Sequence, residues 1–469
     1  MGVFKFEIPS QWPLEKRHAS TMHVVGLDGI AWPCRIVKDD THISLHRNRD
    51  ESGKVFIAYP FCDRGELVVC TGTLPETTTP YPLTVELARG TANRLRNQLS
   101  IWQEGGLKIT PKVEELTNRA VAQLGMALFE LDAKSAEQSA AESLEFCLSA
   151  IFEISRSFSE QIVPVRKSEV NIPKFWMGTR INAWDEKVAQ TVGQMFDIIQ
   201  FPNSNDIRPE VLNAIVGPLL DASPDGLSKK LQEVDDFDGR RSVLMADVRE
   251  RIGRLPSSVK LIHAAAGING TGHRLLSYPQ QLQATIDVLQ TIEDVGSSLP
   301  TMVSFDCPWG ERLAWSVGGV HPLQIADSLL RRGVNLTMLG LDIHLDYWPV
   351  GSLPRDPIQW IDLIDAWSQL GLPLVICLRT PSNSSSTIVE RLTDVPVNSA
   401  RGGLSETARL ELLETVIPMM LARPAVQGII WMQTTDAEEP RYPGGGLLNA
   451  ALEPKPILEM FQRIRKKFW

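Results

Sequence analysis

No two cysteines stand in a CxxC pair: the six, Cys34, Cys62, Cys70, Cys147, Cys307 and Cys377, are scattered over 469 residues. This excludes a disulfide-stapled scaffold and the common paired-cysteine zinc motifs, and it predicts reduced thiols. Nor is there a run of the ~18 apolar residues that a membrane-crossing helix needs, so no membrane partner is expected. Positive charge is also in short supply. With 47 Lys and Arg against 56 Asp and Glu, the formal net charge is −9, and such a surface repels phosphate backbones, which argues against nucleic acid. The opening segment MGVFKFEIPSQWPLEKR lacks the basic stretch followed by an apolar one that marks a secretory signal. The chain as written is therefore expected in the cytoplasm, with secretion the alternative for a chain trimmed of a leader.

What is present is an ordinary globular balance, 43% hydrophobic and 22% charged residues, long enough for a large core and more than one unit. The first ninety residues carry β-type runs separated by turn residues, including VFKFEI, TMHVVGL, HISLHR, KVFIAYPF and ELVVCTG. They predict a small antiparallel sandwich or sheet over residues 1–83. The period then changes. Ala88, Ala92, Leu95 and Leu99 fall on one helical face, and two further helical segments follow, which predicts a helical hairpin over 84–162 that links the sheet to the rest. A boundary is expected within VPVRKSEVNIPK, which is polar, carries two prolines and has no period.

From residue 174 to 469, short apolar runs alternate with amphipathic segments. The runs FWMGTRIN, MFDIIQF, AIVGPLL, VKLIHAAA, TMVSFD, LTMLGLDIH, LPLVICLR and VQGIIWMQ make eight, the number of strands in a (β/α)8 TIM barrel. An α/β barrel carrying an N-terminal β-rich module and a helical hairpin is thus the expected architecture. An open doubly wound sheet would show the same alternation, because periodicity does not reveal closure.

In such barrels chemistry sits at the carboxyl ends of the strands. Read there, polar groups collect: Arg180 and Asn182 after the first strand; Gln200 and Asn203 after the second; His263 and Asn269 with the fourth; Asp306, Trp309 and Glu311 after the fifth; Asp342, His344 and Tyr347 with the sixth; Arg379 after the seventh; and Trp431, Gln433 and Asp436 after the eighth. Acids, amides and indoles at one rim suit a sugar ligand. Glycosidic cleavage needs two carboxylates, one protonated to serve the leaving oxygen and one ionised. Glu311, Asp342 and Asp306 are the candidates, Glu311 as proton donor and Asp342 as nucleophile or base. Trp309, His344, Tyr347, Arg180, Asn182, Arg379, Trp431, Gln433 and Asp436 are candidate substrate contacts. Each has a plainer reading: Glu311 as a helix-start acid or an arginine partner, Asp342 as a satisfied core acid, Asp306 as the tie of its own turn, His344 as a core-edge imidazole, Trp431 as core. No metal or other cofactor is expected. His263, His273, His321 and His344 lack zinc-site spacing, and GINGTG at 267–272 has neither the glycine order nor the Lys-Ser/Thr of a phosphate loop, so it reads as the loop after the fourth strand.

The C-terminal half resembles glycoside hydrolase family 10, the xylanase-type barrels. LTMLGLDIHLDY is similar to that family's sixth-strand GIGxQxH run, with His344 at the position of its histidine. GIIWMQTTD with GGGLLNAALEPKPILEMF resembles the eighth-strand WGxxD run and its closing segment, where Trp431, Asp436, Leu447, Lys455 and Pro456 match. The resemblance implies a barrel, a sugar-shaped cleft and a poly- or oligosaccharide partner. The family's acid/base glutamate after its fourth strand and nucleophile glutamate on its seventh have no counterpart in LIHAAAGINGTG or LVICLRTPSNSS, so the xylanase activity does not carry over. Two expectations stand side by side: a carbohydrate-active glycoside hydrolase using a relocated carboxylate pair, or a non-catalytic glycan-binding or scaffold barrel whose N-terminal sheet binds a partner or forms a homo-oligomer.

Overall fold

The computed structural model describes residues 2–12, 14–77, 79–168, 175–193, 195–223, 226–269, 275–315, 319–348, 351–382, 403–437 and 442–468. Residues 2–82 form two four-stranded sheets. One holds the strands Arg35–Lys38, His42–Arg47, Gly2–Glu7 and Tyr81–Pro82, the other Ala31–Trp32, His23–Gly26, Gly53–Pro60 and Glu66–Cys70. Period-two alternation drives the pairing. Phe4 faces Leu45 and Phe6 faces Ile43 across an antiparallel ladder, and all four are fully buried because alternate side chains share a face.

Three helices follow: α1 (Leu83–Glu104), α2 (Pro111–Phe129) and α3 (Ala133–Ser168). The expected stripe of Ala88, Ala92, Leu95 and Leu99 on α1 is buried. Helix α2 starts where Thr110 accepts a hydrogen bond from the Val113 amide and Pro111 takes the first helical position, the position that needs no N–H donor. Helix α3 runs on past residue 162 through Pro164 to Ser168. The segment read as an aperiodic boundary is thus helical in its first half, anchored by Arg166, which donates to the carbonyls of Leu421 and Val426. Residues 169–174 lie outside the described residues.

The eight apolar runs are the eight strands of the barrel, numbered β1 (Trp176–Arg180), β2 (Ile198–Phe201), β3 (Ala214–Val216), β4 (Val259–Ala266), β5 (Thr301–Asp306), β6 (Met338–His344), β7 (Leu374–Arg379) and β8 (Val426–Trp431). All pair in parallel. β8 returns to β1 through Trp431 and Thr179, and β3 meets β4 through Ala214 and Val259. That last ladder closes the cylinder and rules out the open sheet. Parity divides the strands: Ile198, Ile215, Leu261, Met302, Val375, Cys377 and Ile430 pack against each other inside, and the alternate residues face the surrounding helices. Two helices are absent from the sequence reading, the short Lys16–Thr21 in the N-terminal module and one in the barrel. Phe237–Ile252 is rich in charge and buries only Leu244, Val248 and Ile252, a single i, i+4, i+8 line, too thin to show as an amphipathic stripe.

The strand Glu66–Cys70 ties the N-terminal module to the barrel's loops. The Val68 amide donates to the Pro354 carbonyl at 2.8 Å, the Glu66 amide to Gly403 at 3.2 Å, and Gln359 Nε2 donates to the Val68 carbonyl at 2.6 Å. At this seam Gly65 has φ +111°, and a Cβ there would stand 2.0 Å from the Gly403 carbonyl oxygen. Gly65→Ala is expected to cost about 1–3 kcal/mol in a urea unfolding series, from left-handed strain and displacement of Gly403; a loss below a few tenths would show that the seam is loose.

Candidate active site at the barrel mouth

The run SFDCPWGERLAW leaves β5 through a tight turn. The Gly310 amide bonds to the Cys307 carbonyl at 2.8 Å, and Gly310 adopts φ +73°. A Cβ on Gly310 would lie 2.2 Å from His321 Nε2, so only glycine fits before the 3-10 turn Glu311–Ala314. This turn carries Glu311 into the protein, 1% exposed, with neither carboxylate oxygen hydrogen-bonded. The groups that feel its charge include Arg355, Arg312, His321 and Cys307.

Asp306 ends β5, and its backbone is clamped by Asn269, whose Oδ1 accepts from the Asp306 amide at 2.9 Å and whose Nδ2 donates to the Asp306 carbonyl at 2.6 Å. It stands in parallel register beside Asp342 on β6. Two residues on, His344 turns Nε2 to within 3.4 Å of Asp306 Oδ1. Both acids are at least nine-tenths buried. Asp342 Oδ2 accepts a 2.6 Å hydrogen bond from Ser304 Oγ, and Oδ1 has no hydrogen-bond partner. Burial, and then the neighbouring Asp306 charge, push the Asp342 carboxyl up to about 7, against the opposing pull of Ser304, Cys377 and Arg379. The structure therefore brings Asp306, Asp342 and His344 together, and Arg312 and Cys307 lie within reach of the charges of both Asp306 and Glu311.

The remaining rim residues divide. Arg379 holds its guanidinium 4.2 Å from the Tyr442 ring, and that ring lies 4.4 Å from His344 and 5.1 Å from Tyr347. The Tyr347 hydroxyl donates to the Pro443 carbonyl at 3.0 Å. Arg180 Nε donates to Asn182 Oδ1 at 3.0 Å, and both are half-buried. Gln433 is wholly buried, donates Nε2 to the Thr435 carbonyl at 3.1 Å and leaves Oε1 without a hydrogen-bond partner.

Three expected sugar contacts are engaged by the fold, Trp431 fully buried and Trp309 and Asp436 half-buried. Trp431 is fully buried between β8 and the helix Pro456–Phe468, 5.5 Å from Phe461, with its indole N–H on the Gly445 carbonyl at 2.9 Å. No ring face is left for a ligand. Trp309 packs edge-on against Trp360 at 5.2 Å and donates to the Gln359 carbonyl. Asp436 is spent on Lys455, with both oxygens at 2.9 Å from Nζ, and on the Gly446 amide.

Ser304, Tyr442 and Cys377 were not foreseen as site residues. Ser304 could have been, since it precedes Asp306 by two positions and so shares its face; nothing in sequence announces that Tyr442 arrives from a distant loop. Among the described residues, no group of three or more His, Cys, Asp or Glu is placed to hold a metal ion, and no helix is long and apolar enough to cross a membrane.

These features define a closed parallel (β/α)8 barrel with a carboxylate pair, an imidazole and a guanidinium at its C-terminal mouth, the end where such barrels carry their sites. The structure is similar to solved xylanases. Xylanase 10B from Thermotoga maritima shares 13% identity over 63% of this chain and 95% of its own, with a TM-score of 0.45. Xylanase 10B from Thermotoga petrophila in complex with xylobiose shares 13% over 67% and 98%, at 0.45. A family 10 endoxylanase from a sugarcane soil metagenome shares 12% over 65% and 99%, at 0.46. No protein-family model and no curated protein matches the sequence. The barrel rests on the strand register given above, not on these likenesses.

Proposed function

We propose that this chain is a carbohydrate-active hydrolase that cleaves a glycosidic bond in an oligo- or polysaccharide, with Asp342 as proton donor and Asp306 as the ionised partner. The observation that carries this reading is the in-register placement of Asp306 and Asp342 at the mouth, with Asp342 held towards its protonated form. Paired carboxyls whose environments push them apart are the signature of acid/base division of labour. Adjacent strands lie about 4.8 Å apart, which favours the ~5–5.5 Å carboxyl separation of a retaining enzyme over the ~6.5–9.5 Å of an inverting one.

In that scheme Asp342 gives its proton to the glycosidic oxygen as the bond from the anomeric carbon breaks, and an Asp306 oxygen forms the new bond to that carbon. The ionised Asp342 then takes a proton from water, whose oxygen displaces Asp306 and releases the sugar. His344, 3.4 Å from Asp306, orients the nucleophile. Arg180 and Asn182, half-buried after the first strand, supply hydrogen-bonding groups for hydroxyls. The proton-donor role expected of Glu311 passes to Asp342, so Glu311→Gln is expected to retain turnover within about threefold; a fall on the order of 10²-fold or more would return the role to Glu311.

A second reading, a glycan-binding barrel without catalysis, is favoured by the last residues of β4 and β7, which are Ala266 and Arg379 rather than acids. A reducing-sugar screen over a polysaccharide panel that includes xylan, run beside calorimetry on the same sugars, separates the two. Release of reducing ends supports hydrolysis; heat of binding without release supports the second reading.

A further inference from the structure

We propose that Gln200, His263 and Ser304 form a one-way chain of hydrogen bonds through the barrel interior that fixes which oxygen of Asp342 can carry a proton, making them positioning residues for that acid. The proposal rests on the role given to Asp342 above. Each direction in the chain is forced by the link before it. Gln200 Nε2 has two hydrogens, one for the Gly217 carbonyl at 3.0 Å and one for His263 Nδ1 at 3.0 Å. An Nδ1 that accepts leaves the imidazole hydrogen on Nε2. His263 is wholly buried, and burial, followed by the Arg180 charge, pushes its pKa down to about 3, so the ring is neutral at working pH.

His263 Nε2 therefore donates to Ser304 Oγ at 2.9 Å, and the only hydrogen left to Ser304 points to Asp342 Oδ2 at 2.6 Å. An oxygen committed to accepting from Ser304 does not also hold the acid's proton, so the proton is left to Oδ1; the Cys377 thiol is the other side chain that hydrogen-bonds to this carboxyl. Four strands, β2, β4, β5 and β6, contribute one residue each. Gln200, His263 and Ser304 are all fully buried, and every polar side-chain atom among them except Gln200 Oε1 has a hydrogen-bond partner. The charged and titratable groups that bear on Asp342 are Asp306 from β5, Cys377 and Arg379 from β7, His263 through Ser304 from β4, and His344 on its own strand.

The test measures the acid directly and through turnover. Ser304→Ala removes a hydrogen bond to the ionised form, so the titration of the Asp342 carboxyl, followed by its carboxyl ¹³C resonance in the full chain, is expected to move up by about one to two pH units. The alkaline limb of the pH–rate profile on the best sugar from the screen should move with it. His263→Leu should give part of that shift, and His263→Gln, whose amide N–H can still donate to Ser304, should restore the wild-type titration. A titration unmoved by Ser304→Ala overturns the relay. A titration that moves as expected in a chain that hydrolyses no sugar retains the relay and overturns the hydrolase reading. A loss of turnover with an unshifted limb and an unshifted resonance would mark Ser304 as packing alone, and that too overturns the proposal.

Discussion

On the proposed hydrolase reading, Asp342→Asn is expected to abolish turnover and, in the same protein, to raise the melting temperature. Removing a general acid typically costs on the order of 10²–10⁴-fold in turnover. The stability effect has the opposite sign because Asp342 is held above its ordinary range by burial and by the Asp306 charge. An acid whose folded-state pKa lies above its unfolded one binds more protons when native. Its favourable contribution is complete below about pH 4 and declines as pH rises towards about 7. Above that window the ionised group burdens the fold by on the order of 2–4 kcal/mol, from 1.36 kcal/mol for each unit of displacement. Asparagine never ionises, and its Oδ1 can still accept from Ser304. The gain in melting temperature over the wild type should therefore be near zero at pH 4 and largest at pH 7–8. A variant that is inactive and also less stable at pH 8 would mark Asp342 as a core acid and withdraw its role as proton donor.

The second large effect is expected at the junction between the helical segment and the barrel. Arg94 on α1 grips Asp356 with Nη2 to Oδ2 at 2.8 Å and Nη1 to Oδ1 at 3.2 Å. Asp356 also caps the helix Pro357–Ser368 by accepting from the amides of Ile358 and Gln359. It is fully buried. Burial pushes its carboxyl up, but the Arg94 charge and the hydrogen bonds outweigh that and hold it below the usual carboxylate range. Arg94→Ala strands this charge and is expected to cost about 3–5 kcal/mol in guanidinium unfolding. Arg94→Met with Asp356→Asn, which removes both charges and keeps the cap, should recover most of it. A loss under about 1 kcal/mol in the single variant would show that water replaces the guanidinium. The pH signs of the two acids differ: Asp356 stabilises above the unfolded pKa and loses its contribution as pH falls, the reverse of Asp342.

The eight barrel strands were legible because parallel strands covered on both faces read as nearly continuous apolar runs. TMVSFD and LPLVICLR are examples. Closure was not legible, since it lies in one ladder between β3 and β4 that no periodicity encodes. The acids of the mouth were visible as polar ends on apolar runs, but their partnership was not. Glu311 and Asp342 look like a pair by residue type, whereas register sets Asp342 beside Asp306. Trp431 was misread by a single step of parity: Ile430 and Met432 point into the barrel, so the residue between them must point out. The indole that seemed to floor a subsite packs against the helical shell.

Strand Glu66–Cys70 belongs to two structures at once, hydrogen-bonding Gly53–Pro60 on one side and reaching Pro354, Gln359 and Gly403 on the other. The barrel cannot then be treated as a cassette. Replacing the first 82 residues by an unrelated module, or excising 175–468 for crystallisation, would leave the main-chain and amide groups of Pro354, Gln359 and Gly403 that now meet Val68 and Glu66 without their mates. Re-engineering of either unit has to begin with the small sheet as much as with the cylinder.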